Sequence, residues 1–128
     1  MTRAAVTTGA APVALGPYSQ AIVTDDFVFC SGQLGTDPAT GLLLDGIEAQ
    51  AERALRNLEA VLNAAGCSLA DVVKTTCFLA DINDFAAFNA VYARFMPDPA
   101  PARSTFGVAA LPKGGRVEIE AIAVRARA

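Results

Sequence analysis

The strongest pattern along the chain is an apolar stripe of helical period between residues 47 and 65. Ile47, Ala51, Leu55, Leu58, Val61, Leu62 and Ala65 fall on one face, and Arg53, Arg56, Asn57, Glu59 and Asn63 fall largely on the other. Asp45 followed by Glu48 resembles a capping box, and Gly66 suits the residue that ends a helix. A second stripe of Phe85, Phe88, Val91, Tyr92 and Phe95 predicts a helix over 85–96, capped by Asn83 or Asp84. Pro97, Pro99 and Pro101 end it and make an irregular connector.

The remaining pattern is β-like. Residues 19–24 and 27–32 flank Asp25-Asp26 and predict a hairpin. Residues 72–80 are β-branched, and 103–110 and 116–125 predict two more strands around a turn at Pro112–Gly115. If those two paired as a hairpin, Arg103 and Glu118 would not stand directly opposite each other. Residues 3–8 suit a short strand, Gly16-Pro17-Tyr18 and Ser68–Asp71 suit turns, and Gly32, Gly35, Asp37-Pro38 and Gly41 mark a long loop. The order β-β-α-β-α-β-β predicts an α+β fold, a mixed sheet with two helices on one face. No linker or repeat divides residues 1–128, so a single domain is expected.

Alternation along the last strand puts Glu118 and Glu120 on a face with Ile122 and Val124, opposite Val117, Ile119, Ala121 and Ala123. Both faces are expected to be at least partly covered. A carboxylate there is either a paired structural acid, an exposed strand start, or an acid tuned for proton transfer. Arg103 opens the preceding strand. It reads either as a surface charge or as a two-pronged carboxylate clamp, which its planar fork suits. Tyr18 and Ser31-Gly32-Gln33 are weaker candidates, since glycine permits close backbone approach to a ligand. Lys113 lies in a turn and reads as solvated.

Composition narrows the chemistry. The chain is 53% hydrophobic and 18% charged, an apolar excess that suggests surface covered by a like subunit. A net charge of −3 with scattered basic residues disfavours nucleic acid as a partner; only Arg125-Ala-Arg127 is locally basic. Three cysteines without a CxxC spacing read as free thiols in a reducing compartment. No apolar run approaches the roughly 20 residues of a membrane span, and no signal-peptide pattern is present. A soluble, cytoplasmic protein is expected. The chain has no histidine, which removes Ser-His-Asp and Cys-His catalysis and the usual zinc sites. No cofactor or metal motif is present, so none is expected.

Several segments, taken together and in order, resemble one family. They are Gly16-Pro-Tyr-Ser-Gln-Ala21, Ser31-Gly-Gln33, Val73-Lys-Thr-Thr76, Asp84-Phe-Ala86 with Asn89-Ala-Val-Tyr92, Pro101-Ala-Arg-Ser104, and Leu111-Pro-Lys113 with Val117–Arg125. The chain resembles the Rid family of reactive intermediate deaminases, also called YjgF or L-PSP proteins. Within it the chain is most similar to the RidA subgroup, the 2-iminobutanoate/2-iminopropanoate deaminases. The resemblance implies a chorismate-mutase-like fold and a homotrimer with sites between subunits. It implies cofactor-independent hydrolysis of 2-imino acids to 2-keto acids. By the same resemblance Arg103 binds the substrate carboxylate, Glu118 positions water, and Gly32 contacts the ligand through its backbone. Tyr18, Ser31 and Asn89 line the pocket. Thr105 stands where RidA members often have cysteine; its backbone keeps the capacity to contact a carboxylate, while any thiol role there is lost. Phe106 and Gly107 also depart from the common choices. Two other readings are an L-PSP-type endoribonuclease or translation inhibitor, and a non-catalytic trimer that binds small carboxylates.

Overall fold

Three antiparallel strands, β1 (Ala4–Val6), β2 (Ala21–Val23) and β3 (Phe27–Leu34), begin the fold in the computed structural model, which describes residues 3–125. The outer half of the basic tail, Arg127, lies outside the described residues. At the predicted hairpin, the Thr24 N–H donates to the Phe27 carbonyl at 2.8 Å, and its hydroxyl accepts from the Phe27 N–H at 3.0 Å.

Helix α1 (Ile47–Ala64) follows the predicted stripe. Its end is a Schellman motif at Gly66, which takes φ 82°. The Cys67 N–H reaches back to the Leu62 carbonyl at 2.8 Å, and the Gly66 N–H to that of Asn63 at 3.0 Å. Its start differs from expectation. The N-cap is Gly46 at φ 88°, without a side-chain cap, so the Asp45–Glu48 capping box does not form. The positive φ there needs glycine, which displaces Asp45 from the capping position.

After a short turn at Leu69–Asp71 come β4 (Val72–Leu79), α2 (Phe85–Phe95), β5 (Ala102–Gly107) and β6 (Val117–Val124). Asp84 sits at the N-cap of α2 but gives no side-chain cap; its carboxylate pairs with Arg116 at 3.2 Å instead. The sheet order is β1-β2-β3-β6-β4-β5. Residues 103–110 and 116–125 therefore do not form a hairpin. β6 inserts between β3 and β4, antiparallel to both, while β5 runs parallel to β4 at the sheet edge. A parallel pair needs a crossover, and α2 supplies it.

Both helices cover one sheet face. Leu55, Leu58, Val61 and Leu62 of α1 are fully buried with Val28, Cys77, Leu79, Val117 and Ile119 of the sheet. The Tyr92 hydroxyl of α2 meets the Thr75 hydroxyl of β4 at 2.7 Å on the same side. The opposite face is open. Phe29 and Val124 are 44% and 41% exposed there, Glu118 and Ile122 are half-buried and Glu120 is exposed. The expected cover on both faces of the last strand is therefore present on one face only within a single chain. Among the described residues, no helix is long and apolar enough to cross a membrane.

A candidate active site in two halves

The first half forms around Glu118 on the open face. β3 and β6 pair Cys30 with Ala121 and Gln33 with Ile119, so one extra residue is accommodated at Ser31-Gly32. That β-bulge bends the strand where the glutamate lies. A Cβ built on Gly32 would stand 2.8 Å from Glu118 Cδ and 2.9 Å from its Oε2. The carboxyl group thus rests against bare backbone, which only glycine allows. Ser31 ties the bulge to the preceding segment: its hydroxyl donates to the Ser19 carbonyl at 2.6 Å and its N–H to that of Gln20 at 3.0 Å. Tyr18, Ser31, Gly32 and Glu118 line one cavity of about 510 Å³. Pro12, Val13, Leu15 and Pro112 supply apolar wall, and Lys113 reaches the same cavity from a left-handed turn at φ 60°. Burial raises the Glu118 carboxyl above the usual carboxylate range, and the negative Glu120 raises it further.

The second half forms around Arg103 on the helix-covered face. β5 sets Arg103 in register with Thr75 of β4, beneath α2. Its Nη1 donates to Asn89 Oδ1 at 2.7 Å, and the guanidinium lies 4.7 Å from the Tyr92 ring centre and 5.5 Å from that of Phe85. No carboxylate pairs with it among the described residues. Thr105 follows on the same side, in register with Cys77, and among the described residues its buried hydroxyl meets no hydrogen-bond geometry with any partner. Burial pushes the thiols up, Cys77 to about 11 and Cys30 to about 12, so neither is a thiolate near neutrality.

The predicted residues thus divide. Tyr18, Ser31, Gly32 and Glu118 come together, as do Arg103, Asn89 and Thr105. The two groups are separated by the sheet. Asn89 faces Arg103 rather than open cavity. Lys113, read from sequence as solvated, is exposed but lines the cavity.

Two further features escape pattern reading. The Gln20 amide accepts from the Thr8 N–H at 2.7 Å and donates to the carbonyls of Thr8 at 3.1 Å and Pro12 at 2.8 Å, which ties down the segment that brings Pro12 to the cavity wall. The sequence marks Tyr92 as part of an apolar stripe and of the Asn89–Tyr92 segment, without a role at the site. Its spacing of three from Asn89 and seven from Phe85 places all three on one helical face, a signal that was present.

Chemically, the first half offers a carboxyl group able to exchange a proton at the wall of a cavity of about 510 Å³. The second offers a cation with one edge engaged and the other available for an anion.

Comparison with known proteins gives one family. The Endoribonuclease L-PSP model matches residues 8–125. The chain is 53% identical over 126 residues to a 2-iminobutanoate/2-iminopropanoate deaminase of Capra hircus, spanning 98% of this chain and 92% of that protein. It is 48% identical over 126 residues to the protein of the same name from Homo sapiens, with the same coverage. The crystal structure of RidA from the Antarctic bacterium Psychrobacter superposes with a TM-score of 0.93 at 49% identity, over 95% of this chain and 99% of that one.

Proposed function

The chain belongs to the Endoribonuclease L-PSP family, within its RidA subgroup, and on that premise we propose that it is a 2-imino acid deaminase in which Arg103 binds the substrate carboxylate and Glu118 handles the water. Its reaction is hydrolysis of 2-iminopropanoate and 2-iminobutanoate to the 2-keto acid and ammonia. The observation that carries the residue assignment is the Glu118 carboxyl lying against Gly32, raised by burial, in a cavity with apolar walls.

The chemistry asks for positioning and proton transfer. Water oxygen bonds to the imine carbon while the Glu118 carboxylate takes a proton from that water. The C=N electron pair moves to nitrogen, which takes that proton back from Glu118, so the carboxylate is restored. The resulting carbinolamine breaks its C–N bond, the hydroxyl proton leaves through Glu118, and ammonia departs with that proton. Arg103 holds the carboxylate by charge-assisted hydrogen bonds, which fixes the imine carbon relative to the water.

Arg103 and Glu118 of one chain cannot share a small substrate, because the sheet stands between them. The reading therefore pairs the Arg103 half of one protomer with the Glu118 half of the next. Contacts of that head-to-tail kind close into a ring, and we take three as its size, a homotrimer. The uncovered apolar face around Phe29, Ile122 and Val124 supports cover by a like chain. Three free, buried thiols support a reducing cytoplasmic setting.

The test is a coupled assay. A pyridoxal-dependent dehydratase releases 2-aminoacrylate in situ, and pyruvate and ammonia are followed with and without the purified protein. Faster release in step with protein concentration is expected. Release at the uncatalysed rate would overturn the reading.

A further inference from the structure

Arginine is a poor clamp when free, because its several rotatable bonds must be ordered each time a ligand binds. Arg103 is not free in this protein. One guanidinium edge is spent on Asn89 Oδ1 at 2.7 Å, and its Cζ lies over the Tyr92 ring, 4.7 Å from the ring centre. The ring is itself tied down. Its hydroxyl meets Thr75 Oγ1 at 2.7 Å, and the ring packs against Phe88 with centres 5.5 Å apart. Tyr92 is 6% exposed and Thr75 is fully buried. Thr75 is also the β4 residue in register with Arg103. Helix, inner strand and edge strand thus each contribute one fixed point around the guanidinium.

We propose that Tyr92, anchored by Thr75, is a positioning residue for Arg103, holding its guanidinium in one orientation with an edge open to the substrate carboxylate. The choice of an aromatic support has a chemical reason. A carboxylate partner would hold the arginine but neutralise it and occupy its donors. The face of a neutral ring attracts the cation without consuming a hydrogen. Burial raises the Tyr92 phenol, which keeps the ring neutral. Arg103 is thereby restrained and still fully charged toward an incoming anion. The inference rests on the reading of Arg103 as the carboxylate-binding group.

The experiment compares Tyr92→Leu with Tyr92→Phe in the full-length protein. The readouts are KM and kcat for in-situ 2-iminobutanoate, and calorimetric binding of 2-oxobutanoate, the product. Tyr92→Leu is expected to raise KM and weaken 2-oxobutanoate about tenfold, with kcat per folded site within about threefold of the parent. Tyr92→Phe keeps the ring and is expected to recover all but about two- to threefold of the loss. A purely structural role would instead cut the folded fraction and leave KM and binding unchanged; that result overturns the proposal.

Should Tyr92→Leu fail to fold, the parent protein still decides. Its Arg103 Nε–Hε resonance, assigned by its absence in Arg103→Lys, is expected upfield from ring-current shielding. A resonance at the position of a solvated arginine overturns the proposal. Arg103→Ala separates the two levels. Full activity in that variant removes the underlying reading, whereas an inactive Arg103→Ala beside an unaltered Tyr92→Leu removes only the role of Tyr92.

Discussion

Arg103 and Glu118 stand two strands apart in one sheet and project through opposite faces. β4 lies between them and shows why: Thr75, in register with Arg103, faces the helices, and Phe78, in register with Glu118, faces away. Odd and even positions of a strand look in opposite directions. No rotamer change brings the two groups to one ligand within a chain.

Subunit mixing tests that separation directly. Arg103→Ala and Glu118→Gln are each expected to be inactive. Refolded together at equal concentration, on the proposed trimer they place an intact Arg103 beside an intact Glu118 at about a quarter of the sites. Recovery of about that share of parental activity is expected. Zero recovery, with mixed trimers verified by mass spectrometry, would mean that each site draws both groups from one chain.

Gly32→Ala should act on catalysis more than on folding. The new methyl group would sit 2.8 Å from Glu118 Cδ, so the carboxyl must move. Displacements of about an ångström in a reacting group cost up to about a hundredfold in rate. A fall in kcat of at least about tenfold is expected, with the melting temperature little changed. Parental kcat would show that the Glu118 position against Gly32 carries no weight.

The pH dependence follows from the direction of the Glu118 shift. On the proposed reading water activation needs the Glu118 carboxylate, so activity is expected to be lost as pH falls through the raised value in the folded protein. The acid limb of kcat is therefore expected above the usual glutamate range. Glu120→Gln removes one of the two causes of the shift, so ionisation becomes easier and the limb should move to lower pH. A limb that stays in place, or moves upward, would remove Glu120 from the account.

Stability near the site depends on an amide that pattern alone misplaced. Asn57 is fully buried, and its Nδ2 donates to the Leu34 carbonyl at 3.1 Å and that of Thr36 at 2.8 Å. Asn57→Ala leaves both carbonyls short of a donor, at a cost of about 1–3 kcal/mol. Urea unfolding at fixed protein concentration should show that loss. No change in midpoint would mean that water replaces the amide.

What the sequence disclosed divides along lines of range. The stripe of α1 and its stop at Gly66 are local, set by residues within a few turns of one another, and both form as read. The strand expected at 72–80 forms as Val72–Leu79, and the hairpin turns at Asp25-Asp26. Strand partners are a different matter. Nothing near residues 103–107 states that β5 joins β4 in parallel while β6 threads between β3 and β4. The helical pattern puts Asn57 largely on the polar side of α1, because an amide counts as polar. It is buried because two loop carbonyls need it, and those carbonyls lie more than twenty positions away. The site shows the same division. Strand alternation and glycine mark Glu118 and Gly32 as candidates and resemblance supplies their roles, but the bulge that lets one rest on the other exists only once β3 and β6 pair. The turn at Lys113 is legible locally, the cavity beyond it is not.

On the proposed reading, an enzyme that carries half a site on each side of one sheet holds no complete catalyst in any single polypeptide. Specific activity is then a property of concentration. Diluted below the dissociation constant of its ring, the protein keeps every fold contact described above and loses turnover, so a plot of rate against total enzyme bends upward before it runs straight.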